Sequence, residues 1–274
     1  MDLIFILALL LTGIAVGFAS GLLGVGGCFI MIPVQYWLLT STGIDPKTAI
    51  LVAFGTNLLV VLPTAISGTY RHNKKNAVIW KAAVTLGLSG GIAAVFGAFA
   101  ATLLPGYALT TIFGTAIIIG AIRMLTAKPS KTEKHPPDTT LPYILCGLPL
   151  GFACGLIGIG GGVLMVPVMV IALKFNIHKA IGTSTALMIF TAIGGTLSYI
   201  INGLGAANLP KYSMGYVNLL QWLLLASTSI PMAQLGAYFT HKLPEKHLRH
   251  MFIAVMFYIG LKMIGVFTWL RLPL

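Results

Sequence analysis

The chain has 274 residues, of which 57% are hydrophobic and only 8% are charged. Soluble domains carry about a quarter charged residues, so this composition excludes an ordinary soluble surface. The net charge of +12 does not indicate a nucleic-acid partner, because the basic residues lie in short loops between apolar segments.

Ten apolar segments follow one another, which predicts an all-α polytopic membrane protein with about ten transmembrane or half-membrane helices. Two of them, 22–40 and 160–175, are short, open on glycines and contain a proline, so either could be a half-helix rather than a full crossing. The ten predicted segments are 3–20, 22–40, 47–70, 77–103, 107–125, 141–157, 160–175, 179–202, 214–241 and 246–270.

The second segment opens on a glycine cluster, Gly24, Gly26 and Gly27, directly followed by Cys28. Glycine lets the backbone leave helical geometry, and such backbone is stable in a bilayer only where protein or a wet cavity satisfies its amides. If a half-helix begins after the cluster, its free N–H groups form an anion site. Cys28 either contacts a sulfur-containing substrate or simply fills space.

The third segment carries Thr56 and Asn57 in its middle part, and the eighth carries Thr183 and Ser184. Neutral hydroxyl and amide donors suit an oxyanion that must be released again, so we predict that these side chains bind the substrate. The alternative is that the hydroxyls bond carbonyls of their own helix, which has no mechanistic meaning.

The seventh segment repeats the glycine cluster as Gly158, Gly160, Gly161 and Gly162. The sequence GFASGLLGVGG at 17–27 returns as GFACGLIGIGG at 151–161, and GTN at 55–57 is answered by GTS at 182–184. A duplicated unit with glycine-broken segments at matching positions indicates a two-repeat transporter. We therefore divide the chain into a first repeat at 1–126, a linker at 127–140 and a second repeat at 141–274. Some glycines, such as Gly17 and Gly151, instead suit close helix packing.

Loop charges predict how the chain crosses the membrane. If all ten segments reverse direction, 13 basic residues fall on one side and 4 on the other, which places the linker in the cytoplasm and both termini outside. Five segments per repeat is an odd number, so the second repeat enters from the opposite side. Inverted-topology repeats in a cytoplasmic membrane are therefore expected.

The five acidic residues all stand at termini, in loops or at segment ends: Asp2, Asp45, Glu133, Asp138 and Glu245. A carrier of cations normally keeps an acid within the membrane, so a cationic substrate is disfavoured. The sequence contains neither a metal-ligand cluster nor a catalytic triad or carboxylate pair within an apolar segment. We expect no cofactor, no metal and no enzymatic activity.

In these motifs the chain resembles the sulfite exporter TauE/SafE family of membrane permeases. The first half contributes GLLGVGG, the GTN motif and PTAISGTYRH; the second contributes GLIGIGGG, HKAIGTSTA and LPKYSMGYVN. The resemblance covers essentially the whole chain. It implies movement of sulfite, sulfonates or related organic anions across a prokaryotic cytoplasmic membrane.

We interpret the chain as a secondary transporter, by this resemblance an exporter, that carries sulfite or a related anion by alternating access. The alternatives are a transporter of organic carboxylates, an anion channel, and a membrane scaffold or enzyme without transport activity. The expected partners are a small anion and the lipid bilayer, and a homodimer is left open.

Overall fold

The computed structural model describes residues 3–23, 27–126, 139–175, 177–239 and 245–266. These residues form ten α-helices and one short hairpin, which confirms an all-α polytopic protein. Most of the predicted linker lies outside the described residues. The helices are α1 (Leu3–Leu23), α2 (Cys28–Ser41), α3 (Pro46–Asn73), α4 (Trp80–Leu103), α5 (Gly106–Thr126), α6 (Leu141–Ile157), α7 (Gly162–Ile171), α8 (Ile177–Gly203), α9 (Leu219–Phe239) and α10 (Glu245–Ile264). The hairpin strands are β1 (Ser213–Met214) and β2 (Val217–Asn218).

Helix length separates full crossings from shorter pieces. Within the described part of the chain, five helices are long and apolar enough to cross a membrane: α1, α3, α4, α5 and α8. By contrast, α2 has 14 residues and α7 has 10. At about 1.5 Å per residue they measure roughly 21 and 15 Å, well short of a hydrocarbon core of about 30 Å. The two glycine-opened segments are therefore half-length helices.

The half-length helices α2 and α7 begin only where their glycine clusters end, at Cys28 and Gly162 instead of at the predicted 22 and 160. Two further helices also begin later than the apolar pattern predicts. The segment predicted at 214–241 opens with the hairpin, whose turn is possible because Gly215 adopts φ +57°, and α9 begins only at Leu219. The segment predicted at 77–103 begins as α4 at Trp80. The starts of α4 and α9 both depend on a hydrogen bond to a side chain of a distant helix, described below. The local apolar pattern holds no information about that partner.

The two halves of the chain pack through equivalent contacts. A Cβ atom on Gly17 of α1 would lie 2.4 Å from the carbonyl oxygen of Ser229 in α9, and one on Gly151 of α6 would lie 2.2 Å from that of Gly90 in α4. Only glycine permits such backbone contact, so these glycines serve packing, as the small-residue pattern indicates.

The central helices α3 and α8 are equivalent and cross in opposite directions. A Cβ on Gly68 would lie 3.0 Å from Thr185, and one on Gly195 would lie 2.6 Å from Leu58. Residue numbers thus rise along α3 while they fall along α8. An exchange of α1–α5 with α6–α10 maps the α1–α9 pair onto the α6–α4 pair, and maps the α3–α8 and α5–α10 pairs onto themselves. This fits the predicted inverted repeats; the repeat boundaries themselves stay a prediction.

Candidate functional site

The two glycine-broken regions meet. The thiol of Cys28 donates to the carbonyl oxygen of Ile159 at 2.8 Å, although 131 residues separate them in the chain. Gly27, with φ +61°, precedes α2. Gly24 and Gly26, which we also predict as site residues, lie outside the described part of the chain. The contact joins the start of one half-helix to the break before the other.

The second cluster adopts a backbone that suits glycine alone. Gly158, Gly160 and Gly161 have φ of +64°, +73° and +120°, a region that other residues rarely enter. A Cβ on Gly158 would also lie 2.6 Å from the Cβ of Phe54. The chain can therefore end α6 at Ile157 and start α7 at Gly162 within a few residues.

Helices α3 and α8 hold this loop by its carbonyl groups. The side-chain amide of Asn57 donates to the carbonyl oxygen of Gly158, and the hydroxyl of Thr191 donates to that of Gly160 at 2.8 Å. The backbone N–H groups of Gly160, Gly161 and Gly162 have no acceptor among the described residues. The carbonyl groups of the loop are thus hydrogen-bonded, whereas the N–H groups at the N-terminus of α7, which carries a partial positive charge, remain available. This is the pattern of an anion site.

Two predicted side chains add unused polar atoms. The Oγ of Ser184 and the Oδ1 of Asn57 are fully buried and have no hydrogen-bond partner in the described ranges. On α8, Ser184 shares a face with Leu187 and Thr191, since these positions are three and seven residues apart. Thr191 binds the loop, and Leu187 lies 3.7 Å from a Cβ built on Gly161. Ser184 therefore stands on the face that carries the loop.

The other two predicted side chains have a structural partner. The hydroxyl oxygen of Thr56 accepts the backbone N–H of Asn218 at 2.8 Å, and that of Thr183 accepts the N–H of Ile79 at 3.0 Å. These N–H groups stand immediately before α9 and α4. The two threonines fix where those helices begin, so their oxygens are not simply open to a substrate. Their substrate role stays a prediction.

A narrow cavity lies beside the glycine-broken regions, between α1, α2, α3, α8 and α9. It has room for about 10 Å³, roughly one water molecule, and is lined in part by the hydroxyls of Ser20, Thr64, Thr185 and Ser229. Val16 and Val61, which line the cavity, also pack against the two glycine-broken regions. A Cβ on Gly27 would lie 2.3 Å from Val16. A Cβ on Gly160 would meet Val61 at 3.1 Å. The α3 residues that line the cavity follow Asn57 in the chain, so the cavity lies toward the C-terminal end of α3, where Arg71 stands.

Sequence reasoning missed two groups that line the cavity and two buried polar groups away from it. Ser20 and Ser229 line the cavity, and Gln35 and Gln221 are buried polar side chains on α2 and α9. A signal existed for Gln35, because an uncharged amide within a 14-residue apolar helix needs a partner or a function. No comparable signal marks a single serine in an apolar segment.

Comparison with known proteins identifies close relatives. The model of the family described as Sulfite exporter TauE/SafE matches residues 9–263. A probable membrane transporter protein of Methanocaldococcus jannaschii is 32% identical over 93% of this chain and 94% of its own. Another from Haemophilus influenzae is 30% identical over 94% and 98%, and one from Bacillus subtilis is 28% identical over 95% and 98%. No solved structure matches the chain.

Proposed function

Because the chain belongs to the sulfite exporter TauE/SafE family, whose relatives named above are probable membrane transporters, we propose that it carries sulfite or a related sulfur-containing anion across the cytoplasmic membrane by alternating access. The anion binds where the two glycine-broken regions meet. The linker at 127–140 faces the cytoplasm.

One observation carries this proposal: buried polar atoms without partners gather at that meeting point. They are the N–H groups of Gly160–Gly162 and the hydroxyl of Ser184. The unpaired Oδ1 of Asn57 is an acceptor and does not itself bind an anion. Each buried polar group left without a partner costs about 1–3 kcal/mol, so a guest that satisfies several of them is stabilised. Amide and hydroxyl donors at a helix N-terminus favour a small oxyanion.

A difference between the two halves of the molecule supports alternating access: a cavity is present in one place, and the equivalent place in the other half is closed. Under the repeat relation, the cavity residues Ser20, Thr64 and Ser229 correspond to Cys154, Thr191 and Gly90. The latter are packed: Cys154 is fully buried, and Thr191 lies 3.2 Å from a Cβ built on Gly90. One half of the molecule thus holds a cavity where its equivalent is closed, as expected when two inverted repeats adopt different conformations.

The membrane potential supplies a driving force for such a transporter. An inside-negative potential favours outward movement of a negative charge by about 2.3 kcal/mol per charge per 100 mV. No acidic residue is needed for this coupling.

The test is sulfite flux from purified protein in proteoliposomes, with Ser184→Ala as the variant. Ser198→Ala is the matched control, because it removes a hydroxyl from the same helix that donates to Val95 in α4 instead. We expect Ser184→Ala to lower sulfite affinity about tenfold, the equivalent of about 1.4 kcal/mol, with Ser198→Ala close to wild type. Equal flux in both variants and wild type contradicts the site, and absence of flux from wild type contradicts the function.

Two further measurements separate the alternatives. Competition between sulfite and simple carboxylates distinguishes the sulfur anion from an organic acid as substrate. Counterflow, in which external substrate drives exit of internal substrate, occurs in a carrier and not in a channel.

A further inference from the structure

A second group of buried polar atoms without partners lies outside the site described above. Both polar atoms of the Gln35 side chain and the Oε1 of Gln221 have no hydrogen-bond partner within the described residues. Gln35 is fully buried and Gln221 is 2% exposed. Unpaired buried carboxamides are rare in native proteins and call for an explanation.

Packing places these glutamines at one level of the bundle. Met31 of α2, Val60 of α3 and Leu225 of α9 belong to one apolar cluster. One helical turn away on each helix stand Gln35, Thr56 and Gln221. One turn further along α2 and α3, Leu39 packs with Val52.

Hydrogen bonds tie this level together. The hydroxyl oxygen of Thr56 accepts the N–H of Asn218, and the Oδ1 of Asn218 accepts the N–H of Gln221 at 2.9 Å. We call Gln35, Thr56, Asn218 and Gln221 the carboxamide layer.

The second repeat has no such layer. Met169 stands at the position equivalent to Gln35, Ala82 at that of Gln221 and Ile79 at that of Asn218. Met169 and Ala82 are buried in one apolar cluster. Polar side chains are therefore not required for the packing at this level, because the equivalent place is filled by apolar ones.

The local charge favours a negative guest. The layer lies at the first turn of α9, a 21-residue helix whose N-terminus carries a partial positive charge. Asn218 caps this end with a neutral amide instead of a carboxylate. A cation would face this positive end without an opposing negative charge, so the electrostatic sign selects an anion.

The unpaired atoms further restrict the chemistry. Gln35 offers both a donor, Nε2, and an acceptor, Oε1, and Gln221 offers a second acceptor. A fully deprotonated oxyanion can only accept hydrogen bonds and would leave both acceptors unpaired. An oxyanion that keeps one proton can accept from Nε2 and donate its O–H to an amide oxygen.

We propose that the carboxamide layer is a second binding station, selective for a singly protonated oxyanion such as hydrogen sulfite. The inference rests on the proposed function, since it assumes that anions of this kind enter the protein. Seven residues of α2, about 10 Å, separate Gln35 from Cys28. The layer adjoins the glycine site through Thr56, the neighbour of Asn57, but the unpaired amide of Gln35 is distinct from that site. A substrate that passes this station must carry a proton, which couples transport to the proton gradient without an acidic side chain.

Among the described residues of the surrounding helices, three titratable side chains are buried: Cys28, His72 and Tyr199. Cys28 and Tyr199 already donate to the carbonyl oxygens of Ile159 and Gly155, and His72 stands at the far end of α3. From Leu3 to Leu23, α1 contains no titratable side chain. Tyr36, Asp45, Lys47, Tyr216 and Lys262 are partly or fully exposed, and Lys211 is exposed. Of the other described side chains, Tyr70 and Arg71 stand at the end of α3, His178 and Lys179 at the start of α8, Tyr238 at the end of α9 and Tyr258 on α10. A pH effect on this station therefore arises from the guest.

The test measures anion binding to purified full-length protein by calorimetry, with two probes. Hydrogen sulfite can donate and accept, whereas methanesulfonate carries the same single charge and can only accept. The variant is Gln35→Met with Gln221→Ala, which copies the residues of the second repeat and should therefore fold. We expect a second hydrogen sulfite per wild-type chain, no second methanesulfonate, and loss of the second hydrogen sulfite in the variant.

Wild type alone provides an independent arm that needs no variant. Raising the pH converts hydrogen sulfite to the dianion, and binding at the second station should weaken about tenfold or more. A single bound hydrogen sulfite per wild-type chain, equal filling by methanesulfonate, or retention of the second anion in the variant overturns the inference. If any of these results is found together with saturable sulfite transport, the second station is excluded and the proposed function stands. If the protein neither binds nor transports sulfite, both proposals fail.

Discussion

At the scale of single residues, Thr56 and Thr183 hold the starts of two helices that are distant in the chain. Each accepts a backbone N–H that stands immediately before a helix, at 2.8 and 3.0 Å. Such an N–H has no partner within its own helix. The hydroxyls therefore act as caps supplied by another part of the chain, and their loss should affect folding before it affects transport.

We expect Thr56→Val and Thr183→Val each to lower the free energy of unfolding by about 1–3 kcal/mol, because a buried N–H, that of Asn218, or a partly buried one, that of Ile79, loses its acceptor. The two losses should be similar, since the residues are equivalent. Thermal unfolding in detergent measures the effect. Thr56→Ser and Thr183→Ser keep the oxygen and serve as controls. Stability equal to wild type in the valine variants would contradict the capping role.

Gly158 provides a second test at this scale. Gly158→Ala should destabilise the protein by more than about 1 kcal/mol, because it adds a strained positive φ to a contact 2.6 Å from Phe54. Gly43→Ala separates the two effects, since Gly43 has φ +85° but no atom within 4 Å of its Cβ position. A smaller Tm loss for Gly158→Ala than for Gly43→Ala would exclude the steric contribution.

At the scale of elements, the sequence predicts the helices well and their starts less well. Apolar length is a local property, so ten segments could be counted directly, and the glycines at 24–27 and 158–162 marked the half-length helices α2 and α7. The starts of α4 and α9 depend on Thr183 and Thr56, which are 104 and 162 residues away. A local pattern cannot contain that information.

Some of the candidate binding groups could be predicted from the sequence, and others could not. The glycine clusters and the pair Asn57 and Ser184 could be predicted, because the repeat marks both positions twice. Gln35 and Gln221 could not be joined, because only one repeat carries them and only packing brings α2 and α9 to a common level. Features shared by the repeats are therefore visible in the sequence, while differences between them need the fold.

Packing of the outer helix pairs gives a prediction at this scale. Gly17→Ala and Gly151→Ala each force a methyl group into a backbone carbonyl, so we expect each to destabilise the protein by about 1–3 kcal/mol. Ile14→Ala, on the exposed side of α1, is the control. Chemical or thermal unfolding in detergent measures the difference. If the alanine variants at both glycines unfold like the control, the α1–α9 and α6–α4 contacts are looser than described.

At the scale of the whole molecule, the repeat relation makes one conformation a guide to the other. The cavity lies on one side of the glycine-broken regions, and its equivalent in the other half is closed. If the halves exchange conformations during transport, the residues equivalent to the cavity lining become the lining of the opposite pathway. Cys154 is equivalent to Ser20 and is fully buried here.

Thiol labelling of the native cysteines tests this exchange. We expect Cys154 to resist a membrane-impermeant thiol reagent in the conformation described, and to react during active sulfite turnover as the opposite pathway opens. Cys146, which is only partly buried on the same helix, should react equally with and without sulfite. Mass spectrometry of the labelled peptide distinguishes the two sites. Because the reagent must reach Cys154 through water, labelling that stays absent during measurable transport would mean that the pathway does not follow the repeat relation.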